Sequence, residues 1–241
     1  MMSLMLPLLL AQAVPPVGVV AEPCDPPPRD QAERLARDWA QLCRYRADNA
    51  RAQAGPASAR RVVFIGDSIT EGWSRAHPEF FAGRYLNRGI SGQTTPQMLV
   101  RFRADVIALR PRAVHILAGI NDIAGNTGPT TEQAIRDKVM AMTELAKANG
   151  IRVVLAATMP ADRFVWRPGI RPAATVRAHV AWLKDYARAS GAVFVDYYTP
   201  LATADGAMKP EYSADGVHLN RAGYDTVEPL ALAALAKAGV R

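Results

Sequence analysis

From Gly55-Pro56 onward, short runs of Val, Ile and Leu alternate with longer stretches whose apolar residues recur every three or four positions. The short runs predict β-strands at 61–65, 84–88, 113–117, 151–156 and 192–195. The longer stretches predict helices at 96–109, 131–149, 175–190 and from about 222 to 238, with Gly150 and Gly191 closing two of them. Apolar strands separated by helices mean parallel βαβ units covered on both faces. The class is α/β, a three-layer α/β/α sandwich on a five-stranded parallel sheet. In such sheets ligands collect beyond the carboxyl ends of the strands.

The first part of the chain reads differently. Residues 1–13 form a short apolar stretch ending in an A-x-A-like site, similar to the core of a secretory signal peptide, although no Lys or Arg precedes Arg29. Export to the periplasm or exterior is the expectation, with the cytoplasm the alternative if this leader is not a signal peptide. Cys24 follows Pro23, which does not fit a lipid-attachment site. The stretch 23–28 is linker-like, and 29–51 is predicted to be one helix with Ala32, Leu35, Ala36, Trp39, Leu42 and Cys43 on an apolar face. Cys24 and Cys43 are the only cysteines, and a pair in an exported protein is expected to form a disulfide. The expected organisation is a leader at 1–22, an N-terminal helical extension at 23–58 and a catalytic domain at 59–241.

Composition narrows the class without changing it. Among 241 residues, 49% are hydrophobic and 21% charged, which excludes disorder, collagen and a disulfide-dense mini-scaffold. No apolar run reaches the ~18 residues of a spanning helix once Pro15 and Pro16 interrupt it, so stable membrane insertion is not expected. The net charge of +7 raises nucleic acid as a partner. Its arginines are scattered from Arg29 to Arg241, never more than two adjacent, with the densest patches at Arg101-Phe102-Arg103 and Arg110-Pro111-Arg112 beside a predicted helix. That pattern reads as solvated surface, and no nucleic-acid partner is expected.

Candidate chemistry stands at the strand ends. The first strand runs into Gly66-Asp67-Ser68, which puts a Ser at the mouth of the sheet; Asp and Ser there also serve as helix caps. The second is followed by Gly89-Ile90-Ser91-Gly92, a loop that allows close backbone approach to a ligand or simply turns the chain. The third ends in Gly119-Ile120-Asn121-Asp122, where an Asn amide can meet an oxyanion or bond its own loop. Before the last helix comes Asp215-Gly216-Val217-His218, in which the Asp can fix the imidazole tautomer. His115 reads as a satisfied core residue, and His77 and His179 as surface positions. Together these motifs supply a nucleophile, a base with its orienter, and oxyanion donors, the parts that acyl transfer needs.

The set resembles the SGNH hydrolase superfamily, the GDSL esterases and lipases, from about Arg61 onward. The resemblance implies a flavodoxin-like sandwich and a serine esterase that needs no metal or organic cofactor. It implies Ser68 as nucleophile, His218 as base with Asp215 as its partner, and an oxyanion hole from the N–H groups of Ser68 and Gly92 and the Asn121 amide. Leu219 stands where members often have Pro. A short-chain ester on carbohydrate, acetyl first, is the expected substrate; a lipid- or thioester-cleaving hydrolase and an inactive glycan-binding protein are the alternatives. The stretch 163–169 is the expected variable wall, with Trp166 placed to stack on a sugar and Arg163 or Arg167 to meet an acidic glycan; the alternative is a loop packed on its own aromatics.

Overall fold

The apolar run Val62-Val63-Phe64-Ile65 has no side chain in water, because both faces of its strand are covered. The computed structural model describes Cys24 and residues 29–240. The expected leader at 1–22 lies outside the described residues.

Five strands make one all-parallel sheet: β1 Val62–Gly66, β2 Tyr85–Gly89, β3 Ala113–Leu117, β4 Arg152–Ala156 and β5 Val193–Val195. Their order is β2-β1-β3-β4-β5, so the chain reverses direction across the sheet between β1 and β3. Such a switch point opens a crevice at the carboxyl ends of the two strands. The helices are α1 Gln31–Arg37, α2 Arg46–Ala54, α3 Ser68–Ala76, α4 Pro78–Phe81, α5 Thr95–Asp105, α6 Ile120–Ile123, α7 Glu132–Ala148, α8 Ala173–Ser190, α9 Tyr198–Leu201 and α10 Arg221–Lys237. Alternation along β1 divides the core. Val62 and Phe64 pack with Trp73 of α3, Phe80 of α4 and Val227 of α10, while Val63 and Ile65 pack with Met98 of α5, Val139 of α7 and Leu183 of α8. The result is the three-layer α/β/α sandwich. No helix among the described residues is long and apolar enough to cross a membrane.

Strand and helix positions agree with the periodicity to within a residue or two, except that the helix expected over 96–109 ends at Asp105. Three expectations fail. The helix expected over 29–51 is broken between α1 and α2, where Gln41 takes φ +58°. The Asp38 carboxylate accepts the N–H groups of Leu42 (2.7 Å) and Cys43 (2.8 Å), offering the backbone a turn in place of helix. Its supposed apolar face does not pack, since Leu35, Trp39 and Leu42 stay about two-fifths exposed. His77 and His179 are buried, not on the surface: His77 Nδ1 bonds Glu228 of α10 at 2.7 Å with Asp225 3.1 Å from its Nε2, and His179 lies inside α8's packed face. Nor are the arginines all solvated. Arg101 lies within α5, not beside a helix, and is wholly buried, as Arg88 nearly is.

Cys24 and Cys43 are joined by a disulfide, with Cα atoms 5.5 Å apart. The extension it clips packs along the carboxyl end of β2. Tyr45 donates its hydroxyl to the Gly89 carbonyl at 2.5 Å, and Gln93 and Gln97 donate to the carbonyls of Ala40 and Trp39, both at 2.8 Å.

Candidate active site

Ser68 is the first residue of α3, directly beyond β1. Asp67 caps the helix by accepting the Ile69 N–H at 2.9 Å, which leaves the Ser68 N–H among the donors without an intrahelical partner. Gly66 makes the turn possible, because a Cβ there would stand 2.1 Å from Thr70 Oγ1 and 2.8 Å from the Leu117 carbonyl. The Asp67 carboxyl is fully enclosed. Burial pushes its pKa up to about 7 against the helpful Ile69 bond and the His218 charge, and its Oδ2 has no partner among the described residues.

His218 arrives from the loop before α10. Val217 and Leu219 on either side are buried, so the imidazole between them is held out toward the strand ends. Its Nε2 lies 2.9 Å from Ser68 Oγ and its Nδ1 2.6 Å from Asp215 Oδ2. Asp215 Oδ1 also accepts the backbone N–H groups of Val217 (2.9 Å) and His218 (2.8 Å) and the Ser213 hydroxyl (3.1 Å). Partial burial opposes the charge on Asp215, but the bonds from the His218 ring, the His218 backbone and the Val217 backbone prevail and hold its pKa at about 2. An ionised carboxylate only accepts, so Nδ1 carries the proton and the Nε2 lone pair faces the Ser68 hydroxyl. Leu219 in place of Pro leaves this chain of bonds intact.

Asn121 lies in α6, just past β3. Its Nδ2 donates to the Gln93 carbonyl at 3.1 Å, which ties it to the loop that carries Gly92. Gly92 is exposed at φ +77°, with open space where a side chain would be. Asp122 accepts the Thr95 N–H and hydroxyl and locks α6 to the start of α5. Glu71 accepts from Ser91 N at 3.0 Å, from the Ser91 hydroxyl and from Arg44, bracing the same loop from the other side.

The structure thus gathers Ser68, His218 and Asp215 into one hydrogen-bonded series, with Gly92 and Asn121 joined through Gln93. Trp166 is drawn in as well, its ring centroid 5.9 Å from that of His218. Arg163 is not: it is largely exposed and its nearest charged neighbour is Asp162 at 3.8 Å. Arg167 contacts the Gly125 carbonyl at 3.5 Å. Sequence reasoning missed Asn126 and Arg101. Asn126 sits in Gly125-Asn126-Thr127-Gly128, which reads as a turn and nothing else. Arg101 donates to Gln93 Oε1 (2.5 Å), Asp105 (2.8 Å) and the Gly66 carbonyl (3.0 Å), joining the end of β1 to the Gly92 loop. Among the described residues no group of His, Cys, Asp and Glu is gathered closely enough to hold a metal ion.

Known proteins resemble this chain in sequence and in fold. The model of the GDSL-like Lipase/Acylhydrolase family matches residues 64–226. The chain is 46% identical to a candidate acylhydrolase of Bacteroides fragilis, covering 83% of this chain and 98% of that one at a TM-score of 0.80. It is 44% identical to a GDSL-like lipase of Bacteroides thetaiotaomicron, covering 83% of this chain and 100% of that one, also at 0.80. An acetylxylan esterase of Geobacillus stearothermophilus is 35% identical over 91 residues, which are 27% of this chain and 41% of the esterase. The matched segment therefore spans about two fifths of that enzyme.

Proposed function

We propose, for a chain that belongs to the GDSL-like lipase/acylhydrolase family and is therefore a carboxylic ester hydrolase, that it removes acetyl or other short acyl groups from carbohydrate through a covalent acyl-enzyme. The observation that carries this reading is the unbroken series Ser68 Oγ, His218, Asp215, with separations of 2.9 and 2.6 Å.

In this reading His218 Nε2 takes the Ser68 proton as Ser68 Oγ bonds to the ester carbonyl carbon. The carbonyl oxygen becomes an oxyanion that receives hydrogen bonds from the N–H groups of Ser68 and Gly92 and from Asn121 Nδ2. Collapse breaks the bond to the leaving alcohol, which departs with the proton from His218. A water then gives its proton to His218 and attacks the acyl group, and the acid leaves as Ser68 regains its proton. Asp215 stays ionised throughout and steadies the imidazolium. The short acyl group and sugar alcohol are supported by the partial likeness to an acetylxylan esterase and by Trp166, a half-open indole beside His218 on which a sugar ring can stack. The disulfide supports export, since such bonds persist in oxidising compartments.

Ser68→Ala is expected to abolish hydrolysis of p-nitrophenyl acetate and labelling by a fluorophosphonate, while the protein stays folded by circular dichroism. A p-nitrophenyl ester series is expected to favour the two-carbon acyl group, and acetylated xylan to release acetate. Wild-type turnover in the Ser68→Ala protein would overturn the mechanism; a preference for long acyl chains would overturn the substrate.

A further inference from the structure

Asn126 joins three parts of the candidate site through one side chain. Its Nδ2 donates to Asn121 Oδ1 at 2.8 Å and lies 3.4 Å from the Gly92 carbonyl, and its Oδ1 accepts the Trp166 indole N–H at 3.1 Å. Its backbone N–H also bonds the Asn121 carbonyl at 3.0 Å. These contacts have a direction. An indole Nε1–H only donates, so the oxygen of Asn126 must face Trp166 and its nitrogen must face Asn121. Asn121 is then obliged to turn its oxygen to Asn126 and its nitrogen to the opposite side. The Gln93 carbonyl, which only accepts, demands the same orientation from the far end. Donor-only and acceptor-only groups at the two ends therefore allow one arrangement of the two amides.

We propose that Asn126 is a positioning residue which, read by Trp166, sets the orientation of the Asn121 amide and so couples the substrate-facing loop to the oxyanion hole. The proposal rests on the esterase reading above, in which Asn121 Nδ2 meets the oxyanion. Trp166 is 37% exposed and stands beside His218, so a substrate that covers its ring also buries the Trp166–Asn126 bond. Loss of water around that bond strengthens it as the oxyanion forms. The relay thus makes the recognition loop part of transition-state stabilisation, not of ground-state binding alone.

Five proteins test it, assayed on p-nitrophenyl acetate: wild type, Asn126→Ala, Trp166→Phe, the double variant and Asn126→Asp, with Asn121→Ala as reference. Trp166→Phe keeps a smaller aromatic ring on the exposed surface and removes the N–H together with the five-membered ring that carries it, and circular dichroism checks that it stays folded. Both single variants are expected to lower kcat about tenfold with KM within about threefold, a smaller loss than the roughly hundredfold expected when the oxyanion donor itself is removed. The double variant is expected to fall no further than Asn126→Ala, because both lesions cut one relay. Asn126→Asp is expected to be at least as impaired as Asn126→Ala, since its carboxylate accepts from Trp166 but has no proton for Asn121 Oδ1. Multiplicative losses in the double variant, a change confined to KM, or full activity of Asn126→Asp would overturn the relay. Failure of the esterase reading is told apart by Ser68→Ala: if that protein retains activity the reading falls, whereas an inactive Ser68→Ala with unimpaired Asn126→Ala sinks the relay alone.

Discussion

His179 lies against Gly119 in the turn that leads into Asn121, and its Nε2 meets no hydrogen-bond partner among the described residues. Burial, aided by the Arg136 guanidinium, lowers its pKa from 6.5 to about 4 despite a bond with the Ala118 backbone. Between those two values the unfolded chain holds a proton on this ring that the folded protein does not. Stability from this residue is therefore present above about 6.5 and is lost as pH falls toward about 4. Asp67 and Asp122, whose pKa values burial raises to about 7 and about 6, act in the opposite direction, so only a comparison of variants isolates the histidine. Measured by urea unfolding, wild type is expected to lose about 1.4 kcal/mol per pH unit relative to His179→Asn across that window. Parallel pH curves for the two proteins would show that the ring is not held neutral. The sequence did contain a sign of this burial. His179 falls three residues after Val176 and four before Leu183, on the face of α8 that packs.

At the scale of elements, α5 does more than cover the sheet. Its Arg101 guanidinium, wholly buried, bonds the carbonyl that ends β1, the Gln93 side chain in the Gly92 loop, and Asp105 one turn on. Asp105 in turn accepts from Asn49 of α2 at 2.6 Å, so the helix also seats the extension. Arg101→Met is expected to destabilise the fold by about 3–5 kcal/mol, because Asp105 is left buried without its cation. Removing both charges, as Arg101→Met with Asp105→Leu, is expected to recover part of that loss in denaturant unfolding. If the double variant is no more stable than the single one, the cost comes from the bonds to Gly66 and Gln93 and not from the stranded charge. Periodicity located α5 to within a few residues but cast Arg101 as surface. An i, i+4 ion pair on a helix has the same sequence pattern whether water or protein surrounds it.

For the whole molecule, the disulfide links the start of the extension to the turn between α1 and α2, and that turn delivers the carbonyls of Trp39 and Ala40 to the start of α5 and the Gly92 loop. Closing a loop of 19 residues is worth about 3 kcal/mol in the chain-entropy model. Cys43→Ser is accordingly expected to lower Tm by roughly 6–12 °C, and a reductant to do the same to wild type while leaving the variant unchanged. A Tm that does not move would mean the bond constrains nothing the fold depends on. The alternation of apolar runs with amphipathic stretches, and the short motifs at the strand ends, were enough to determine the class, the sheet and that Ser68, Gly92, Asn121, Asp215 and His218 stand at the strand ends or just before the last helix. Both signals are local: periods of two and 3.6 residues, and the turn chemistry that follows a strand. Tertiary structure alone decided that the N-terminal helix breaks at Asp38, that Arg101 and His179 lie inside, that Arg163 stays apart from the cleft, and that Asn126 faces both Asn121 and Trp166. Each of those outcomes depends on partners brought together from distant points of the chain, and burial and pairing are properties of that meeting, not of the residue that takes part in it.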